Sequence, residues 1–250
     1  MGTPKDKIAI PQFVLDQSDG QPVSAVWVNN YGDVTYQIGT TTTAGLPDFL
    51  KVGQEEHEFD IAAHLQRLNW LSTWLPVPKL VSCGQGDDFI WMRTAGLPGS
   101  CAIDKANLAR SKEVIAALGR GLRRFHDSLP ADECPFQWSV ESRVAKKNNF
   151  TARIPETNPA DLVVCHGDAC NPNFMIDETV DGDLEVTGYL DLENCGVADR
   201  YADLGPATLS LGWNFKTAAN EDLFLAAYCG ADLTIDEYKL KFYRELWLAE

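Results

Sequence analysis

Cations are scarce in this sequence: 21 Lys and Arg stand against 36 Asp and Glu, a formal net charge of -15. Nucleic acids and anionic membranes demand a basic surface, so neither is an expected partner, and a small cationic ligand suits the charge better. Long apolar runs are missing too, and none reaches membrane-spanning length. Behind Lys5 and Lys7 there is no apolar stretch of signal-peptide length, which makes the cytoplasm the expected location. The seven cysteines are odd in number and form no C-x-x-C pair, arguing against a disulfide framework and against a zinc site. With only four histidines, none spaced four residues from another, a transition-metal centre is poorly supplied.

What the chain does carry is concentrated in one stretch. Val163-Val164-Cys165-His166-Gly167-Asp168-Ala169-Cys170-Asn171-Pro172-Asn173 is followed by Gly188-Tyr189-Leu190-Asp191. An apolar strand delivers His166, Gly167 and Asp168 onto a tight loop, Asn173 follows five residues after Asp168, and a second strand ends in Asp191. Phosphoryl transfer requires positioning and charge neutralisation more than covalent help, and this set supplies both. Asp168 can orient a substrate hydroxyl and accept its proton. Asn173 and Asp191 offer oxygen ligands to Mg²⁺, a hard cation that sits among nucleotide phosphates. His166 is then a scaffold for the loop.

The stretch resembles the aminoglycoside phosphotransferases, whose catalytic loop reads H-G-D-x-x-x-x-N. The same resemblance extends to Leu190-Asp191-Leu192-Glu193-Asn194, to Gly196-Val197-Ala198-Asp199-Arg200-Tyr201-Ala202-Asp203-Leu204, to Cys134-Pro135-Phe136, and to Asn69-Trp70-Leu71 ahead of Leu75-Pro76-Val77-Pro78. It implies an α+β, bilobal protein-kinase-like fold. Residues 1-92 would form a β-rich nucleotide-binding lobe, 93-99 a hinge, and 100-250 a mainly helical catalytic and substrate lobe. The implied co-substrate is ATP or GTP with Mg²⁺, and the implied acceptor a hydroxyl of a cationic aminoglycoside.

Within the first lobe, the β-rich runs Ala25-Val28 and Val34-Ile38 flank a turn-forming cluster and read as a hairpin. By resemblance this hairpin covers the nucleotide phosphates, with Gly32 allowing close backbone approach, although a full G-x-G-x-x-G is absent. Lys51, in Phe49-Leu50-Lys51, matches the family's phosphate clamp. Its partner is open among Glu58, Asp60 and His64, because His64 stands where the family carries the expected carboxylate. Main-chain groups at Arg93 and Ala95 would meet the adenine edge.

Helical periodicity runs from Glu55 to Trp70, from Glu113 to Asp127 and from Asp236 to Glu250. His126 falls on the second of these and reads as structural. Asp199, Arg200 and Asp203 open a further helical stretch and are expected to brace the catalytic loop. Several positions depart from the family. Glu193-Asn194 replaces a small residue and an arginine, position 171 is Asn171, and the segment from Gln137 to Pro159 is shorter than usual. Glu141, Glu156, Glu245 and Glu250 remain as candidate acidic contacts. These departures keep two alternatives open: a metabolite kinase of the same fold, and a nucleotide-binding pseudokinase.

Overall fold

The computed structural model describes the chain except residues 1, 3, 5, 30, 42–44, 55–59, 148–149, 216–219 and 250. Two compact units emerge, Met1–Ser72 with Pro78–Leu97, and Thr73–Val77 with Pro98–Glu250.

The first unit is built on a five-stranded antiparallel sheet. After a short helix α1 (Gln12–Asp16), strands β1 (Val23–Val28) and β2 (Val34–Ile38) form the expected hairpin. Its turn is closed by Asn29, whose side-chain Oδ1 accepts the amides of Tyr31 and Asp33, both at 2.9 Å. Gly32 has φ +90°, a left-handed conformation that favours glycine, and a β-carbon there would meet nothing within 4 Å. Gly32 is therefore needed for the turn itself. Strand β3 (Asp48–Gln54) follows, then helix α2 (Ile61–Leu71), β4 (Leu80–Gln85) and β5 (Phe89–Ala95). The sheet order is β1-β2-β3-β5-β4. Val14, Tyr36, Ile38 and Leu50 form its buried cluster, with Ile10, Phe13 and Trp91 against them.

The second unit is mainly helical with two small sheets. Its elements are β6 (Ser100–Cys101), α3 (Lys105–Ala109), α4 (Ser111–Ser128), α5 (Val140–Ala145), β7 (Leu162–Cys165), β8 (Phe174–Glu178), β9 (Leu184–Tyr189), β10 (Gly196–Asp199), α6 (Tyr201–Asn214), α7 (Asn220–Cys229) and α8 (Glu237–Leu248). Strand β7 pairs with β10, and β8 lies between β6 and β9. The apolar stripe of α4 is core, as its spacing indicates: Val114, Ile115, Leu118, Leu122 and Phe125 are at most 1% exposed. Burying each such side chain contributes about 1.5–3 kcal/mol. Helix α8 starts where its cap dictates, with the Asp236 carboxylate accepting the amides of Tyr238 and Lys239. Among the described residues no helix is long and apolar enough to cross a membrane.

Candidate active site

Strand β7 is short and almost wholly apolar, and it hands the chain to a turn at Gly167. There φ is +88°, and a β-carbon would lie 2.4 Å from the carbonyl carbon of Asn194, so only glycine lets the loop pass the segment that follows Asp191. The loop is held from below by Asp203, in the first turn of α6. Its carboxylate, 0% exposed, accepts the amides of His166 at 2.5 Å and Gly167 at 3.0 Å. His126 donates to the same carboxylate through Nε2 at 3.0 Å, and its Nδ1 receives the Tyr228 hydroxyl at 2.7 Å. Burial disfavours the charge on Asp203, but His126 and the loop amides outweigh it and hold the carboxyl below its ordinary range.

His166 is fully buried against Phe125, Phe174 and Tyr189. Burial pushes its imidazole down to about 4, so it is neutral near pH 7, and its Nδ1 accepts the Asp168 amide at 3.3 Å. The ring is a scaffold that aims the next carboxylate.

Asp168 stands at the head of the loop. Its Oδ1 is buried with no hydrogen-bond partner. Burial, with a smaller contribution from the charge of Asp191, lifts the carboxyl to about 6, against the lowering effect of hydrogen bonds from the Cys170 thiol and Asn173. Asn173 sits in a 3-10 turn, Asn171–Asn173, and donates its Nδ2 to the Asp168 carbonyl at 2.9 Å, which leaves its amide oxygen to offer. The Leu190 amide bonds the Asn173 carbonyl at 2.9 Å, tying the turn to the end of β9. Asp191 follows in a left-handed conformation, φ +52°, sparsely populated for a residue with a side chain. Three oxygen-bearing side chains thus meet around one loop, a donor set of the type Mg²⁺ takes. The buried group of His126, Cys165 and Asp203 is the softer alternative. Its histidine and carboxylate are already saturated by protein hydrogen bonds, and burial keeps the Cys165 thiol protonated.

Asn171 lies in the core. It is 0% exposed, with its amide on the Ser210 hydroxyl at 2.9 Å and its side chain directed at the Ala207 carbonyl, so it does not line a substrate pocket as its place in the loop suggests. Asn194 is exposed and Glu193 half-buried. Glu141 receives the Ser139 hydroxyl at 2.6 Å, Glu156 lines a separate cavity with Lys239, and Glu245 lies 3.8 Å from Lys241. Glu250 falls outside the described residues.

In the first unit, Lys51 is half-buried on β3, in register with Thr35 and Met92. Asp60 is the N-cap of α2, accepting the Ala63 amide at 2.9 Å, and His64 is buried on that helix. Glu58 lies outside the described residues. Arg93 and Ala95, where main-chain contacts to adenine are expected, lie in the last part of β5. Arg93 is inside β5, registered against Leu50 and Ser82, and its guanidinium pairs with Asp48 at 2.7 Å. The Ala95 amide donates to the Lys79 carbonyl at 2.9 Å, and the next amide, Gly96, to Pro47 at 3.0 Å. Both donors are engaged within the unit.

A sequence profile described as the phosphotransferase enzyme family matches residues 142–243. An aminoglycoside 3'-phosphotransferase of Streptomyces fradiae is 31% identical over 221 residues, covering 77% of this chain and 80% of that protein. One from Niallia circulans is 30% identical over 262 residues, covering 94% and 95%. The chain belongs to the aminoglycoside phosphotransferase family. A crystal structure of a type VIII aminoglycoside-3'-phosphotransferase superposes with a TM-score of 0.76 at 25% identity, covering 96% of this chain and 97% of that one. The fold is accordingly α+β and protein-kinase-like, and the protein is a phosphotransferase with an alcohol group as acceptor.

Sequence reasoning read His126 as structural, which is the part it plays in holding Asp203, and left two contributors to this phosphotransferase's loop unassigned. Cys170 and Ser210 contact Asp168 and its loop, and Ser210 carried no signal because its partner lies 39 residues away.

Proposed function

We propose that this enzyme moves the γ-phosphoryl group of ATP or GTP onto a hydroxyl of an aminoglycoside, the 3' position being the one for which its relatives are named. Asp168 orients the acceptor hydroxyl and takes its proton. Asn173 and Asp191 hold Mg²⁺, which when bound neutralises charge on the phosphates. Lys51 binds the nucleotide phosphates, and the β1–β2 hairpin at Gly32 covers them. The observation that carries the reading is the buried, unpartnered Oδ1 of Asp168 at the head of a loop whose backbone is fixed by Asp203. A carboxylate held this way costs stability unless a proton donor arrives, and the acceptor hydroxyl is that donor.

The test is nucleotide consumption by purified protein with Mg²⁺ and either kanamycin or streptomycin, comparing wild type with Asp168→Asn. Loss of general-base catalysis is expected to lower acceptor-dependent turnover by about 10²–10⁴-fold, with nucleotide affinity near wild type. Full activity in Asp168→Asn would remove Asp168 from its role.

A further inference from the structure

The brace under the catalytic loop does not end at His126. Tyr228, on α7 and 1% exposed, reaches Nδ1 of that histidine with its hydroxyl at 2.7 Å, and Nε2 of the same ring lies 3.0 Å from Asp203. Arg200 donates through Nη1 to the Tyr228 oxygen at 3.2 Å, and is itself fixed by the Ala160 carbonyl at 2.7 Å and by Asp161 at 3.3 Å. The imidazole and phenol rings meet nearly edge to face, with centroids 5.6 Å apart. Four side chains thus stand in line, Arg200, Tyr228, His126 and Asp203, and the line ends on the amides of His166 and Gly167.

Donor chemistry sets the direction of each bond in this line. A guanidinium can only donate, so Arg200 occupies a lone pair of the Tyr228 oxygen and leaves the phenol hydrogen for Nδ1. An ionised carboxylate can only accept, so Asp203 needs a hydrogen on Nε2. His126 meets both demands as the neutral ring with its proton on Nε2. An imidazolium would aim a second donor at the Tyr228 oxygen, and the other tautomer would turn a lone pair toward Asp203. Burial raises the Tyr228 phenol above its ordinary value, against the opposing pull of Arg200, so the hydroxyl keeps the hydrogen it donates. Resting on the assignment of Asp168 as the base, we infer that Tyr228 is a positioning residue for the transfer: it fixes the tautomer and the plane of His126, so that Asp203 keeps its third donor and the loop holds the base in place. Its effect reaches Asp168 only through His126 and Asp203, which separates it from residues that touch the reacting groups.

The test uses the full chain as wild type, Tyr228→Phe, His126→Gln and the double variant, with kanamycin and streptomycin as acceptors. Phenylalanine keeps the ring that packs on His126 and removes only the hydroxyl, while glutamine offers Asp203 an N–H with no choice of tautomer. Tyr228→Phe is expected to lower kcat about tenfold, the scale of one buried acceptor left unpaired, with acceptor and nucleotide KM unchanged. On the His126→Gln background the same substitution should change kcat by less than about twofold, because the group it acts through is gone. Equal losses on both backgrounds would reduce Tyr228 to packing and overturn the proposal, as would a Tyr228→Phe enzyme with wild-type kcat. Nitrogen-15 NMR of the backbone-assigned protein needs only wild type and Tyr228→Phe, and reads the ring directly. The wild type should show His126 neutral with its hydrogen on Nε2, and Tyr228→Phe should move the Nδ1 resonance together with the His166 and Gly167 amides. A wild-type imidazolium, a hydrogen on Nδ1, or loop amides that stay in place in Tyr228→Phe would overturn the proposal. Absence of turnover with both acceptors, alongside the expected NMR pattern, would sink the acceptor class and leave the line from Tyr228 to the loop standing.

Discussion

Asp168 on the loop and Asp203 beneath it on α6 are both enclosed carboxylates, and the structure moves them in opposite directions. Asp203 gains two amides and His126, so its folded form favours the charge. Its contribution to stability is present above the ordinary carboxylate value and is lost as pH falls through the lowered one. Asp168 is lifted to about 6, mainly by burial, so its charge is a liability to the fold once the pH exceeds the ordinary value, and the full cost is present above 6. Replacing it by a neutral isostere should remove that cost. In the absence of ligands, Asp168→Asn is expected to be more stable than wild type at pH 7.5 by on the order of 1 kcal/mol, and equal to it near pH 4. Urea unfolding at the two pH values checks this, and a variant less stable at pH 7.5 would contradict it. The opposite sign holds at His126. Its removal leaves the Asp203 charge buried with one partner fewer, so His126→Ala should lose about 2–4 kcal/mol in the same measurement and lower turnover without changing nucleotide affinity.

Among the elements, β10, α6 and α8 are joined by one ion cluster. Lys239, on the first turn of α8, lies 2.8 Å from both Asp161 and Asp199, and Arg200 lies 3.3 Å from Asp161. The cluster continues through Arg200 to Tyr228 and so to His126. Two carboxylates sharing one buried ammonium are poorly placed to lose it. Lys239→Met, which keeps the length of the side chain, is expected to destabilise the protein by about 3–5 kcal/mol, read from the denaturant midpoint, because Asp199 would be left charged and enclosed. Element positions were largely legible in the chain. Alternation and turn residues marked β1 and β2, and apolar spacing marked α4 and α8, because those signals are local. The reach of β5 through Arg93 to Ala95 was not legible, since that length is set by β3 and β4, which pair with it on either side. Asn171 shows the same limit at smaller scale: whether a loop side chain faces a pocket or the core depended on α6, which packs there from far along the chain.

For the molecule as a whole, the candidate loop was legible because its chemistry is compressed into His166 to Asn173 with Asp191 close behind, whereas its supports were not. Asp203 lies 37 residues from the amide it holds and 77 from His126, spacings that leave no periodic trace. The distribution of sulfur follows from the same packing. All seven thiols are free, and only Cys83, on β4 of the first unit, is exposed. Burial raises Cys101, Cys165, Cys170 and Cys229 away from the reactive thiolate. A thiol reagent such as an aromatic disulfide should therefore release one equivalent quickly and the rest only on unfolding, and rapid release of several would contradict the packing described. Cys83 is thus a ready-made single attachment point for a fluorophore, one that reports from the five-stranded sheet of the first unit without engineering away any other sulfur.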